Sequence, residues 1–282
     1  MKNGSHLHVA SLPGLAALFI LLLTTGHAIA QNPFLNTNTA QQAAASPGKV
    51  FSAGNNETRN ADLFGTQKRF VENIGQYGDS VTGRSQMGKI LFGYEGLAMP
   101  VLFTEKGLIY LQQKVTGPTE EEREKLERKG KDEDDEDEKI EHINRSISMQ
   151  WVNANPKPEI IAEEAAPDYC TYGMLKGKAK AYKRIIYREL YAGIDVIYSF
   201  NQNNKAGFEY SLVVKPGANL NAVQMQYGGD VKRIKKDGKG NLVIKSDIDG
   251  ITESLPVSFY GDAIVNEPGA GEKFNSHFKI NG

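Results

Sequence analysis

The sequence predicts an all-β protein: an antiparallel β-sandwich, either one large domain or two small ones packed together. Short runs of alternating apolar and polar residues recur at spacings of about ten residues, the rhythm of such sheets. Turn chemistry separates the runs at Gly193, Asn203-Asn204, Pro216-Gly217, Gly228-Gly229, Asp237-Gly238 and Asp249-Gly250. Composition leans the same way, with 29 Gly, 11 Pro, 12 Tyr, 12 Phe and 1 Trp. Hydrophobic residues at 40% and charged residues at 24% exclude wholesale disorder and a polytopic membrane protein. A net charge of −1 over 282 residues advertises neither nucleic acid nor an anionic membrane.

Taken in order, the chain begins with an address. Leu15-Ala16-Ala17-Leu18-Phe19-Ile20-Leu21-Leu22-Leu23 is the only uninterrupted apolar run of its length. It is too short for the ~20 residues of a membrane-spanning helix. It leads into Ala28-Ile29-Ala30, the small-x-small pattern read by signal peptidase. Residues 1–30 are therefore an expected export signal cleaved after Ala30, leaving no transmembrane span. Residue 31 is Gln rather than Cys, so no lipid anchor is expected. The destination is the periplasm, the cell surface or the medium.

Residues 31–63 are polar, without helical or alternating period, and read as a flexible leader. The β domain is expected over 64–282, with ordered structure beginning near Arg69. Strands are expected at 89–94, then as a hairpin of 98–103 and 108–112 turning at Thr104-Glu105-Lys106-Gly107. In 146–152 the alternation is strict and puts Ile147, Met149 and Trp151 on one face. The same period fits 183–187, 195–200, 208–214, 222–227, 241–245 and 256–260. The run 274–280 reads as one final strand with Phe274, Phe278 and Ile280 on a shared face.

One stretch breaks the rhythm. Residues 119–141 hold 13 carboxylates against 6 basic side chains. Such a block repels itself and has little to bury, so 117–141 is expected to be a disordered acidic insertion between two paired strands. What remains is mildly basic, with clusters at Lys176-Gly177-Lys178-Ala179-Lys180 and Lys232-Arg233-Ile234-Lys235-Lys236.

Chemistry is sparse. The single cysteine, Cys170, excludes an intramolecular disulfide and a Cys-rich zinc site, and its Tyr169 and Tyr172 neighbours mark it as half-buried filler. A catalytic thiol would need a histidine, yet three of the five histidines lie in or beside the signal. The acidic block lacks the turning glycine of a calcium loop. Asp247-Ile248-Asp249-Gly250 reads as a hairpin turn, since Glu253 falls too early to be a bidentate ligand. No cofactor or metal is expected. Glu159, Glu163, Glu164, Asp168, Glu189, Asp195 and Glu209 are raw material for a glycoside-hydrolysing pair, although each also suits a strand or turn. No nucleophile elbow or phosphate loop occurs, and the basic clusters lack a stacking platform for nucleic acid. Tyr169, Tyr172, Tyr182, Tyr187, Tyr191 and Tyr198 are a candidate ligand surface for a sugar ring or a protein. The competing reading places them at core edges and in cross-strand pairs.

Several stretches, taken together and in order, resemble a known family. They begin with Phe70-Val71-Glu72-Asn73-Ile74-Gly75-Gln76, Leu102-Phe103-Thr104-Glu105-Lys106-Gly107-Leu108 and Trp151-Val152-Asn153-Ala154-Asn155-Pro156. Tyr187-Arg188-Glu189-Leu190-Tyr191-Ala192-Gly193-Ile194-Asp195-Val196-Ile197-Tyr198 follows. Phe208-Glu209-Tyr210, Val214-Lys215-Pro216-Gly217-Ala218 and Gly240-Asn241-Leu242-Val243-Ile244 complete the set. Over about two thirds of the chain, this resembles the N-terminal β domain of unknown function that precedes SBBP β-propeller repeats in exported Bacteroidetes surface proteins. Members are described as cell-surface-glycoprotein-like or S-layer-like, and the family supplies no catalytic residues. Ala192 stands where members often have Pro.

The resemblance implies a bacterial envelope, outer-membrane-surface or secreted protein. It also makes Ser80, within Asp79-Ser80-Val81, a candidate O-glycosylation site. The C-terminus is expected to be truncated relative to the family, leaving a strand edge that invites self-association. The expected function is a non-catalytic surface module for structure or adhesion, its partner a surface glycan or an envelope protein. The alternative is a carbohydrate-binding or glycoside-hydrolysing accessory domain.

Overall fold

The computed structural model describes residues 5–9, 17–24, 68–97, 99–117, 141–173, 175–200, 207–260 and 273–281, the first two stretches as backbone alone. All belong to one compact unit; a second unit, 27–67, lies outside the described residues. The Ala30 cleavage site, the 31–63 leader and residues 118–140 of the acidic insertion are likewise outside them.

Regular structure consists of strands and two single 3-10 turns, Ser85–Met87 and Leu220–Ala222, with no α-helix among the described residues. The first strands are β1 (Ser5–Val9), β2 (Ala17–Thr24), β3 (Phe70–Glu72), β4 (Ile90–Tyr94), β5 (Val101–Thr104) and β6 (Gly107–Thr116). Long strands follow: β7 (Glu141–Val152), β8 (Glu159–Thr171) and β9 (Lys178–Tyr191). Next are β10 (Ile194–Ser199), β11 (Glu209–Val214), β12 (Gln224–Gly229), β13 (Arg233–Lys236) and β14 (Leu242–Lys245). The series closes with β15 (Gly250–Glu253), β16 (Val257–Tyr260), β17 (Lys273–Asn275) and β18 (Phe278–Asn281).

Pairing is antiparallel, and the protein is sandwich-like and all-β: a large curled sheet with a smaller meander of β13, β14 and β15. Around the large sheet the order runs β18, β1, β12, β7, β6, β5, β4, β3, β9. It continues through β10, β11, β2, β16 and β17. One edge of β9 carries β8, while the other is shared between β3 and β10. The two ends of this order, β17 and β18, are separated in the chain by only Ser276 and His277, which curls the sheet back on itself.

The hairpin at Thr104-Glu105-Lys106-Gly107 forms where its composition places it, with Thr104 opposite Gly107 and the Thr104 hydroxyl donating to the Gly107 carbonyl at 2.9 Å. The strands flanking the acidic insertion pair without a break, from Gly107 opposite Gln150 to Thr116 opposite Glu141. On β7 the predicted face is buried at Ile147, Met149 and Trp151. Its other face is buried too at Ser146 and Ser148. Nearby, Met87 packs on Ile90, Leu102 and Ile109, with Tyr77 and Val81 against them.

Within the sandwich the core is aromatic. Phe103 meets Phe70 edge-on at 4.9 Å and Tyr198 at 5.1 Å, and Trp151 meets Tyr210 at 5.6 Å. Such pairs add about 0.5–1.5 kcal/mol each beyond their buried area. Buried polar tips become tie-bars between strands. The Trp151 indole N–H donates to the Tyr198 hydroxyl at 3.0 Å, and the Tyr187 hydroxyl to the Thr104 carbonyl at 2.6 Å.

The last run corrects an expectation. Residues 274–280 are not one strand: they break at Ser276-His277 into β17 and β18. Ser276 is buried and shares a hydrogen bond with Ser258 at 2.6 Å. That polar contact holds the chain at a corner where continued alternation would carry it past the sheet.

Candidate functional site

The seven candidate carboxylates do not converge. Glu163 and Glu164 both pair with Arg184, Glu159 with Arg188 and Asp168 with Arg69. The Arg69 guanidinium holds the Asp168 carboxyl below its usual range. Glu189 pairs with Lys215 and accepts from the Gly193 amide at 2.8 Å, which lowers its carboxyl too. Asp195 accepts from the Glu189 amide at 2.7 Å, and Glu209 is buried on β11. These groups cross-link strands and organise the β9–β10 turn. At that turn Gly193 has φ +74°, and a Cβ there would come within 2.9 Å of Ala218.

The six tyrosines divide into two sets. Tyr187, Tyr191 and Tyr198 are buried, so they are removed from any ligand surface. They sit in apolar stretches of β9 and β10 beside buried Ile186, Leu190 and Ile197, and each hydroxyl has a framework partner. Tyr169 is exposed, with the Lys178 ammonium 4.0 Å above its ring. Tyr172 is half-buried beside Val71, Ala179, Ala181 and Cys170. Burial raises the Cys170 thiol, as suits filler rather than a nucleophile. Ser80 lies exposed in a bend after β3.

Tyr182 faces a depression. It is half-open, about 710 Å³, and lies over β3, β4, β8 and β9. Phe92 meets Tyr182 edge-on at 6.0 Å along one wall. Glu72, Glu105 and Lys157 supply charge around it, and Pro156 and Pro158 form a stiff rim. Glu72 also accepts from the Lys180 amide at 2.7 Å, and Glu105 from the Lys89 amide at 3.1 Å, so both are oriented by backbone. An aromatic pair beside fixed acceptors and one ammonium is chemistry for a polyhydroxylated ligand.

Sequence reasoning missed the most unusual ionisable group. Glu253, at the end of β15, is fully buried and accepts from the hydroxyls of Tyr210, at 3.0 Å, and Tyr227. Burial pushes its carboxyl up to about 7 against the two tyrosine hydrogen bonds, which lower it. The signal was there to read, since alternation in Ile251-Thr252-Glu253 puts Glu253 on the same inward face as Ile251. Among the described residues no group of three or more His, Cys, Asp and Glu could hold a metal ion. No helix among them is long and apolar enough to cross a membrane.

The residues that carry the family resemblance are largely framework. Asn73 accepts from the Gly75 and Tyr77 amides and donates to the carbonyls of Gly78 and Ile90, knotting the segment after β3. The profile of a family described as a domain of unknown function, DUF7948, matches residues 70–282. The chain belongs to that family. The DUF7948 match begins at Phe70, the first residue of β3 and a member of the aromatic core. No curated protein and no solved structure matches the chain.

Proposed function

We propose that this DUF7948 domain is a non-catalytic, exported β module for surface structure or adhesion. In this reading it is the N-terminal domain that precedes SBBP propeller repeats in Bacteroidetes surface proteins. One observation carries it: the distinctive residues are engaged in holding strands together. The Asn73 knot, the Tyr187–Thr104 and Trp151–Tyr198 tie-bars and the Glu189–Lys215 pair at Gly193 all stiffen the scaffold. Rigid scaffolds with exposed loops suit presentation and contact. The Leu15–Leu23 run with Ala28 and Ala30 supports export, and exposed Ser80 suits O-glycosylation.

The test is localisation with intact cells. External protease should remove the protein without lysis, and its N-terminus should be Gln31. Retention in the cytoplasm sinks the proposal, as does turnover of a glycoside substrate that is lost on changing one carboxylate.

The alternative, a carbohydrate-binding domain, is favoured by the depression with Tyr182 and Phe92. Glycan-array binding abolished by Tyr182→Ala, with the thermal transition kept, would establish it. Binding insensitive to Tyr182 and Phe92 substitutions removes the depression from consideration.

A further inference from the structure

The strand β2 is paired along both edges. Ile20, near its middle, lies opposite Ser211 of β11 on one side and Val257 of β16 on the other. Leu23 and Thr24 continue against Glu253 and Thr252 of β15. In this ladder β2 joins β16 to β11, just as β1 joins β18 to β12. Two strands from the first 24 residues therefore connect the C-terminal strands to the body of the sheet.

The seat of β2 is closed on both faces. On β11, Tyr210, Leu212 and Val214 are buried on one face, and Glu209 and Ser211 on the other. On β16, successive residues Ser258 and Phe259 are both buried. A strand covered on both faces reads as a continuous apolar run rather than an alternating one. The sequence of β2, Ala-Leu-Phe-Ile-Leu-Leu-Leu-Thr, is such a run, and no other uninterrupted apolar run in the chain has its length.

We propose that β11 and β16 flank a strand-acceptor slot. In the precursor, Ala17–Thr24 of the export signal fills it. After cleavage, an extended apolar strand of a partner polypeptide fills it in trans. The inference rests on the export reading, because cleavage after Ala30 is what vacates the slot. We place the occupant on another chain: residues 31–282 hold no second run of that length and chemistry. Main-chain bonds to β11 and β16 supply affinity, and the two buried faces select an apolar, uncharged sequence. An empty slot would leave two rows of unpaired N–H and C=O groups, a costly state that drives capture.

The experiment uses the full chain with a protease site inserted after Ala30. After cutting, fragment 1–30 is stripped in mild urea. A fluorescent synthetic peptide of residues 17–24, flanked by lysines for solubility, is then titrated in. Expected are a lowered melting temperature on stripping, its recovery with peptide at 1:1, and binding at least ~10-fold weaker for a peptide carrying Ile20→Pro, which cannot donate to the ladder. An unchanged melting temperature with no peptide binding overturns the slot. Recovery without peptide, accompanied by dimerisation, also overturns the proposal, because a second copy then fills the seat.

Should stripping unfold the protein, hydrogen exchange on the uncut chain decides. There Ile20→Pro should speed exchange in β11 and β16 while leaving β5 to β7 protected. Uniform protection in the variant counts against the slot. N-terminal sequencing of the exported protein tests cleavage separately, so failure of the export reading is distinguishable from failure of the slot.

Discussion

Glu253 is the residue on which solution conditions act most directly. Its carboxyl titrates near 7 in the folded protein and near 4.5 when free. A raised acid pKa means the folded state binds the proton more tightly, so this contribution is complete below pH 4.5 and is lost as pH climbs through 7. The difference corresponds to about 3 kcal/mol. Asp168, Glu189 and Asp247 are shifted the other way, below the usual carboxylate range, so their share is lost only at more acid pH. Urea unfolding should therefore show a higher midpoint at pH 5 than at pH 8. Glu253→Gln, which keeps the shape and removes the charge, should flatten that difference. A wild-type midpoint that rises from pH 5 to pH 8 contradicts the assignment.

At the scale of elements, the β6–β7 pair carries the clearest expectation. Its ladder runs unbroken from the hairpin-proximal end to Thr116 opposite Glu141. The insertion therefore closes a loop at a point where the strands are already in register. Replacing residues 118–140 with a four-residue turn removes closure entropy worth about 1.5 kcal/mol or less, because that cost grows only as the logarithm of loop length. The shortened protein should melt at the same temperature or a few degrees higher. A large drop would mean that the acidic segment docks on the basic clusters instead, a contact that salt would weaken within ~8–10 Å.

For the whole molecule, topology decides the rate at which it forms. β3 must find β9 across roughly a hundred residues, with Phe70 opposite Tyr182, and β7 must find β12, with Trp151 opposite Met225. Loop closure precedes the gain from such contacts, so folding of non-local sheets runs from milliseconds to seconds. Refolding by stopped flow, followed through Trp151, should be complete on the order of seconds. Sub-millisecond refolding would show that local hairpins dominate the barrier. Slow formation also lengthens exposure of strand edges to other chains.

The sequence by itself determined the fold class, most strand positions, the β5–β6 hairpin and the inward face of Ile147, Met149 and Trp151. Those are local properties: alternation and turn chemistry act between neighbours in the chain, and burial of one face reinforces them. The Gly193 turn was legible as well, because Glu189, Gly193 and Asp195, which build it, lie within a few residues of one another. Tertiary structure alone decided which tyrosines are surface and which are core. Tyr182 and Tyr187, five residues apart on one strand, face opposite ways by alternation, but only packing decided that the first lines a depression and the second is sealed beneath Thr104. It also decided that Glu159, Glu163, Glu164, Asp168 and Glu189 meet arginines and a lysine rather than forming a catalytic pair. Only tertiary packing places Glu253 among Tyr210 and Tyr227 and seats β2 between β11 and β16. These are encounters between segments tens to hundreds of residues apart, set by how the sheet curls, and periodicity carries no record of them.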